Sequence, residues 1–181
     1  SKTLLEQVPS EAAVQSVDWL ADGLSLAIAE GNVPSLRPLA FQRLLTGHAG
    51  AVSSVVFAPN GTQAISGGAD KSVRLWNLAD GKELRAFAGV QDVVTSVAVT
   101  PDGATVIAGS IDKHVRTWTL ANGQAVKDIV HPVAVRSVSV GGDATRVVTA
   151  SDDKIVRLWD LASGLELERF AGHEANVASV S

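Results

Sequence analysis

The sequence predicts an all-β protein made of four copies of one unit, each unit a four-stranded antiparallel sheet. Three observations predict it. A motif centred on tryptophan returns at steps of 42 and then 41 residues. Within each copy, apolar and polar residues alternate with period two, and β-branched residues dominate. Turn signals such as Pro59-Asn60-Gly61, Pro101-Asp102-Gly103 and Ala121-Asn122-Gly123 separate the alternating runs, because Asn-Gly and Asp-Gly supply the positive φ of tight hairpins.

The repeat is plainest in Lys71-Ser72-Val73-Arg74-Leu75-Trp76-Asn77-Leu78. It returns as Lys113-His114-Val115-Arg116-Thr117-Trp118-Thr119-Leu120 and as Lys154-Ile155-Val156-Arg157-Leu158-Trp159-Asp160-Leu161. A second anchor runs in phase: the pairs Ser54-Val55, Ser96-Val97, Ser137-Val138 and Ser179-Val180 are spaced 42, 41 and 42 residues apart. A weaker first copy begins at Ser16-Val17-Asp18-Trp19, which aligns with Ser54-Val55-Val56-Phe57 at a step of 38. Pro34 and Pro38 fall where its third strand belongs. Proline cannot donate to a ladder, so that strand is expected to be irregular or at an edge. In the second copy the strands are expected at about 51–58, 62–68, 72–78 and 82–88, and the later copies follow by the period. No segment has a helical period.

Composition narrows the function classes. The 46% hydrophobic content of these 181 residues suffices for a packed core. No apolar run approaches the roughly 20 residues of a membrane span, so no membrane partner is expected. The formal net charge of -4 disfavours nucleic acid, which needs a cationic surface. The chain has no cysteine, which excludes disulfides and thiolate metal sites; this fits the cytoplasm and other compartments too. No signal peptide is visible, and the absence of methionine points to an excised or processed chain.

These residues resemble the WD-repeat β-propeller family, whose units, or blades, run to roughly 40 to 45 residues, with Gly-His before the innermost strand and Trp-Asp at the end of the third. Gly47-His48 and Gly172-His173 match the first element, and Trp159-Asp160 matches the second; Trp76-Asn77 and Trp118-Thr119 are degenerate forms. The resemblance implies a single propeller segment over 1–181, with blades at about 10–47, 48–89, 90–130 and 131–172. Thr3-Leu4-Leu5-Glu6 is then an orphan outer strand, and 173–181 begins a further blade. It also implies a hydrogen-bonded set in each blade: loop His, Ser or Thr on strand two, turn Asp and strand-three Trp. Blade two has His48, Ser66, Asp70 and Trp76, and blade four has His131, Thr149, Asp153 and Trp159. Blade three keeps Asp112 and Trp118 but has Val90 and Ala108 in place of the others, and blade one has none of the set. An indole N–H donates, an imidazole can do both, and a carboxylate accepts, so such a chain is cooperative only when complete.

The set repeats once per blade and is expected inside each blade, so a catalytic triad or a zinc site is not expected. The sequence contains no GxSxG, HExxH, P-loop or dinucleotide fingerprint. No catalytic residue, metal or cofactor is therefore assigned. Arg74, Arg116 and Arg157 form a third regular series, expected to be solvated or to pair between blades, and His114 is expected to face solvent. Propellers of this family usually have about seven or eight blades, so four blades suggest that two copies close an eight-bladed ring with two-fold symmetry. Leu4, Leu5, Val14 and Val17 at one end, and Leu167, Phe170, Val177 and Val180 at the other, are expected to line that contact. The function implied is a non-catalytic scaffold that binds a protein through variable loop residues: Gln91, Asp92, Ile111, Arg136, Asp152 and Glu174. Two alternatives are an engineered or excised self-assembling module without a ligand of its own, and the propeller part of a larger enzyme or sensor.

Overall fold

A computed structural model describes residues 14–19, 25–30, 33–38 and 43–181, with side chains from residue 44 onward. Among the described residues every regular element is a strand. The first sheet holds β1 (Val14–Trp19), β2 (Ser25–Glu30), β3 (Val33–Pro38) and β4 (Arg43–Leu44). The second holds β5 (Val52–Phe57), β6 (Gln63–Gly68), β7 (Val73–Asn77) and β8 (Glu83–Phe87). The third holds β9 (Val94–Val99), β10 (Thr105–Ser110), β11 (His114–Thr119) and β12 (Ala125–Val130). The fourth holds β13 (Val135–Val140), β14 (Arg146–Ser151), β15 (Val156–Asp160) and β16 (Glu166–Phe170). Each sheet is an antiparallel meander in chain order, and each forms one blade.

The prolines of β3 act differently from the expectation of an edge or irregular strand. β3 is an inner strand that pairs with β2 over six consecutive positions without a shift, but with β4 over only two. Pro34 and Pro38 have the same parity, so both remove donors from a single ladder, and the short ladder is the one to β4.

Blades stack face to face, and glycine on the second strand lets them approach. A Cβ on Gly67 would lie 2.4 Å from a Val94 methyl, and one on Gly109 would lie 2.8 Å from a Val135 methyl. The apolar core therefore lies between blades: Val73, Phe87, Val94, Val106 and Trp118 join blades two and three, while Ile107, Ile129, Val135, Val147 and Trp159 join three and four. The Ser-Val repeat clips the stack together. Val97 N–H donates to Ser54 Oγ (3.1 Å) and Val138 N–H to Ser96 Oγ (3.2 Å).

Two β-bulges in each of blades two to four were not legible in the sequence. On the first strand the extra residue is Ser53, Thr95 or Arg136, and on the outer strand it is Leu84, Val126 or Leu167. A bulge re-aims its side chain. Ser53 Oγ and Thr95 Oγ1 each lie within hydrogen-bond reach of two carbonyls that share the single hydroxyl hydrogen, one on their own second strand and one on the next blade, Val94 O and Val135 O respectively. The outer-strand bulges leave Leu84, Val126 and Leu167 about half exposed.

Residues 173–181 form no strand, contrary to the expectation of a fifth innermost strand, since no described strand pairs with them. They nevertheless lie against blade four in the same way as its predecessors: Val180 N–H donates to Ser137 Oγ at 3.2 Å. The expected outer strand at Thr3–Glu6, with Leu4 and Leu5, lies outside the described residues.

Candidate functional site

Blade two assembles a continuous chain of hydrogen bonds from strand to loop. Ser66 sits on β6 and Trp76 on β7, at neighbouring positions of one face, and both are fully buried. Trp76 Nε1 donates to Ser66 Oγ (2.7 Å), Ser66 Oγ donates to His48 Nε2 (2.7 Å), and His48 Nδ1 donates to the Asp70 carboxylate (2.9 Å). This is the arrangement in which every group is satisfied. Ala49 N–H (3.0 Å) and Ser72 Oγ (2.7 Å) also donate to Asp70. Burial lowers the His48 pKa more than the neighbouring Asp70 raises it, so the imidazole is neutral. Burial pushes Asp70 up, but hydrogen bonds from Ser72, His48 and Ala49 outweigh it and hold the carboxyl below its usual range.

Blade four does not assemble the set expected of it. Trp159 Nε1 does donate to Thr149 Oγ1 (2.9 Å). His131, however, has no hydrogen-bond partner at either ring nitrogen, although it is only 2% exposed. Its ring rests on Trp159, centroids 4.7 Å apart, and burial together with the Arg157 charge lowers its pKa to about 4. The cause is the preceding residue. The loops into blades two and three pass through Gly47 (φ +158) and Gly89 (φ +108), whereas blade four has Val130 there. A β-branched residue disfavours such φ values, so the chain continues as strand through Val130, and His131 N–H bonds to Lys113 O at 2.8 Å. Ile155 also stands where Ser72 would help hold a carboxylate. In blade three, Trp118 Nε1 finds the Ala88 carbonyl instead (3.0 Å), and Gln91 N–H and His114 N–H cap Asp112.

The arginine series is neither solvated nor inter-blade. Each guanidinium lies along its own blade between the turn aspartate four residues earlier and an acid on the outer strand: Arg74 with Asp70 and Glu83, Arg116 with Asp112 and Asp128, Arg157 with Asp153 and Glu166. Arg116 and Arg157 are buried. Hydrogen bonding from Arg157 holds the Asp153 carboxyl down at about 2. His114 is half-buried and bonds to Asp128 through Nδ1 at 2.6 Å, rather than facing solvent alone.

The meander brings the turns between strands two and three, and the links between blades, to one end of the stack. Gln91 and Glu174 are exposed there, and Asp92 and Ile111 are half-buried. Arg136 is not a loop residue but the β13 bulge, and its guanidinium pairs twice with Asp152 at 2.7 Å. Asn176 Nδ2 donates to the same carboxylate (3.2 Å). A shallow groove between the end of β8 and the outer part of blade three is bounded by Gly89, Arg116, Trp118, Val126 and Asp128. Lys127 also lines it, and Arg116 there is already engaged by Asp112 and Asp128. Among the described residues no three His, Asp or Glu side chains converge as a metal site, and no helix is long and apolar enough to cross a membrane.

Comparison with known proteins agrees with this architecture. The WD40 family (WD domain, G-beta repeat) matches residues 40–77, 81–119 and 124–160, each match ending at or just after a blade's tryptophan. The chain is 52% identical over 40 residues to the small ribosomal subunit protein RACK1z of Arabidopsis thaliana, covering 22% of this chain and 12% of that one. It is 32% identical over 82 residues to the pre-mRNA-splicing factor PRP46 of Yarrowia lipolytica, covering 45% and 18%. It is 42% identical over 60 residues to Protein Mut11 of Chlamydomonas reinhardtii, covering 30% and 16%. The chain thus aligns with less than a fifth of the length of each of these relatives.

Proposed function

The chain belongs to the WD40 family, and on that premise we propose that it is a non-catalytic protein-interaction scaffold. The observation that carries this reading is the fate of its reactive side chains. His48, Asp70, Ser66, Asp112 and Asp153 are each taken up within a single blade by hydrogen bonds or ion pairs. Among the described residues no nucleophile and base meet at an open groove, which is what chemistry would require. What remains free is a broad end face on a rigid stack, the setting in which a few side chains give affinity. Gln91, Asp92, Ile111 and Glu174 are proposed to meet the partner there, with the Arg136–Asp152 pair as a fixed polar contact. Relatives named for the small ribosomal subunit and for pre-mRNA splicing support a role alongside other macromolecules.

The scaffold is further proposed to assemble from copies of itself, with one propeller segment of four blades per chain, two chains giving an eight-bladed ring. Phe170 supports this. Its counterparts on the outer strands, Phe87 and Ile129, are each 3% exposed against the next blade, while Phe170 is 47% exposed and Leu165, just before the other end of its strand, 66%. A second copy seated on this face, against Phe170 and residues 173–181, would bury them as the inner blades bury theirs. Val14 and Val17 of that copy's first strand are the proposed counterparts.

The interaction reading is tested by placing a photo-cross-linking residue at Gln91 or Glu174, with Asp102 and Asp143 at the opposite end as controls. Protein adducts from the first pair alone are expected. Adducts from both pairs alike, or from neither, would contradict it.

A further inference from the structure

Three lysines occupy a backbone conformation that lysine disfavours, all at one end of the stack. Each tight turn of blades two to four is closed by the N–H of a residue in the left-handed region. In the turns between strands one and two these residues are Gly61, Gly103 and Ala144, and between strands three and four they are Gly81, Gly123 and Gly164. That is the residue type the geometry favours. In the turns between strands two and three they are Lys71 (φ +64), Lys113 (φ +71) and Lys154 (φ +66), closing onto Gly68, Ser110 and Ser151 carbonyls. Glycine serves the same backbone role in five of the other six turns, so turn geometry does not account for lysine at all three of these.

The charges around them point the same way. Lys71, Lys113 and Lys154 are exposed, and none has an acidic partner among the described residues; Lys71 Nζ donates only to the Gln91 carbonyl (3.2 Å). The acids beside them are neutralised internally: Asp70 by Arg74, Asp112 by Arg116, Asp152 by Arg136 and Asp153 by Arg157. Asp92 and Glu174 are the uncompensated acids of this end. The opposite end carries turn aspartates instead, Asp80, Asp102, Asp143 and Asp160. Among the described residues, the exposed cations without an acidic partner at this end are these three lysines, whereas Arg85 and Lys127, toward the opposite end, are half-buried against Gly123 and Gly164.

We propose that Lys71, Lys113 and Lys154 form an arc that binds an extended acidic peptide segment across blades two to four; this rests on the scaffold reading and names the chemistry of its partner. Stacked sheets lie about 10 Å apart, and a segment extended as polyproline II advances about 3.1 Å per residue with every third side chain on one face. Successive lysines therefore match acidic side chains about three residues apart. A protein segment fits better than single-stranded nucleic acid, because base recognition needs aromatic stacking platforms and Trp76, Trp118 and Trp159 are all buried.

The test uses the full chain and a fluorescent peptide with Glu at every third position. The wild type should bind it, with affinity falling as salt rises. Lys71→Gly, Lys113→Gly and Lys154→Gly should each weaken binding about two- to five-fold, as expected for exposed ion pairs, and the triple variant by tenfold or more. Each should also hold or raise the melting temperature, because glycine suits the turn. Lys82→Gln, at the opposite end, should bind as wild type. No binding by the wild type, a triple variant that binds equally well, or tighter binding of a single-stranded oligonucleotide of the same charge would overturn the inference. A wild type that binds no acidic peptide yet cross-links a protein at Gln91 would remove this inference and leave the scaffold reading standing.

Discussion

Ser66→Ala and Thr149→Val remove one hydroxyl each from equivalent places in blades two and four, and their costs should differ. Both substitutions keep the volume of the side chain nearly unchanged, and both sites are fully buried, so cavity terms are small. Losing the Ser66 hydroxyl deprives two buried groups of their partner, Trp76 Nε1 and His48 Nε2, each bonded at 2.7 Å. An orphaned buried polar group costs about 1–3 kcal/mol, so the expected loss for the two is about 2–6 kcal/mol. Losing the Thr149 hydroxyl deprives only Trp159 Nε1, because His131 makes no bond to it; the expected loss is about 1–3 kcal/mol. Urea denaturation followed by tryptophan fluorescence gives both values. Adding His48→Leu to Ser66→Ala should then cost much less than the two singles combined, since they share a bond. Equal losses for Ser66→Ala and Thr149→Val, or additivity in that double variant, would refute the difference between the two blades.

Other perturbations follow from the same geometry. The His131 pKa is lowered to about 4 in the folded chain, below the unfolded value near 6.5, so the unfolded state binds more protons between these limits. Stability should be fully present above about pH 6.5 and fall by about 3 kcal/mol as pH drops toward 4, and His131→Leu should flatten that slope in pH-dependent melts. Ala144→Gly should stabilise by about 0.5–1 kcal/mol, because Ala144 has φ +59 where the equivalent turns hold Gly61 and Gly103; a lower melting temperature would contradict it. Gly109→Ala should destabilise by about 1–3 kcal/mol through overpacking, since its Cβ would meet methyls of Val135 and Val138 at 2.8 and 2.9 Å.

The repeat made the four sheets legible. Trp76, Trp118 and Trp159 sit at the same place on the third strand, and the Ser-Val pairs, which only anchor the period in the sequence, turn out to be the clips between blades. The resemblance placed His131 in the set of blade four but not its surroundings. The relevant signal was Val130, a β-branched residue where Gly47 and Gly89 lead into the other blades, and it redirects the backbone before the imidazole is reached. The bulges at Ser53, Thr95 and Arg136 were hidden for a related reason: an inserted residue preserves the period while shifting which side chain faces which neighbour. Arg74, Arg116 and Arg157 are expected from the sequence to be solvated or to pair between blades, yet charge complementarity with an aspartate four residues earlier holds each within its own blade.

The proposal of a scaffold assembled through the face of blade four is tested most directly by sedimentation of the chain at micromolar concentration, beside Phe170→Asp. The account predicts that the wild type sediments with twice the 18.7 kDa mass of one chain, and that Phe170→Asp sediments as a folded single chain. A wild type that sediments as a stable, folded particle of 18.7 kDa, or a Phe170→Asp variant that keeps the doubled mass, would contradict it.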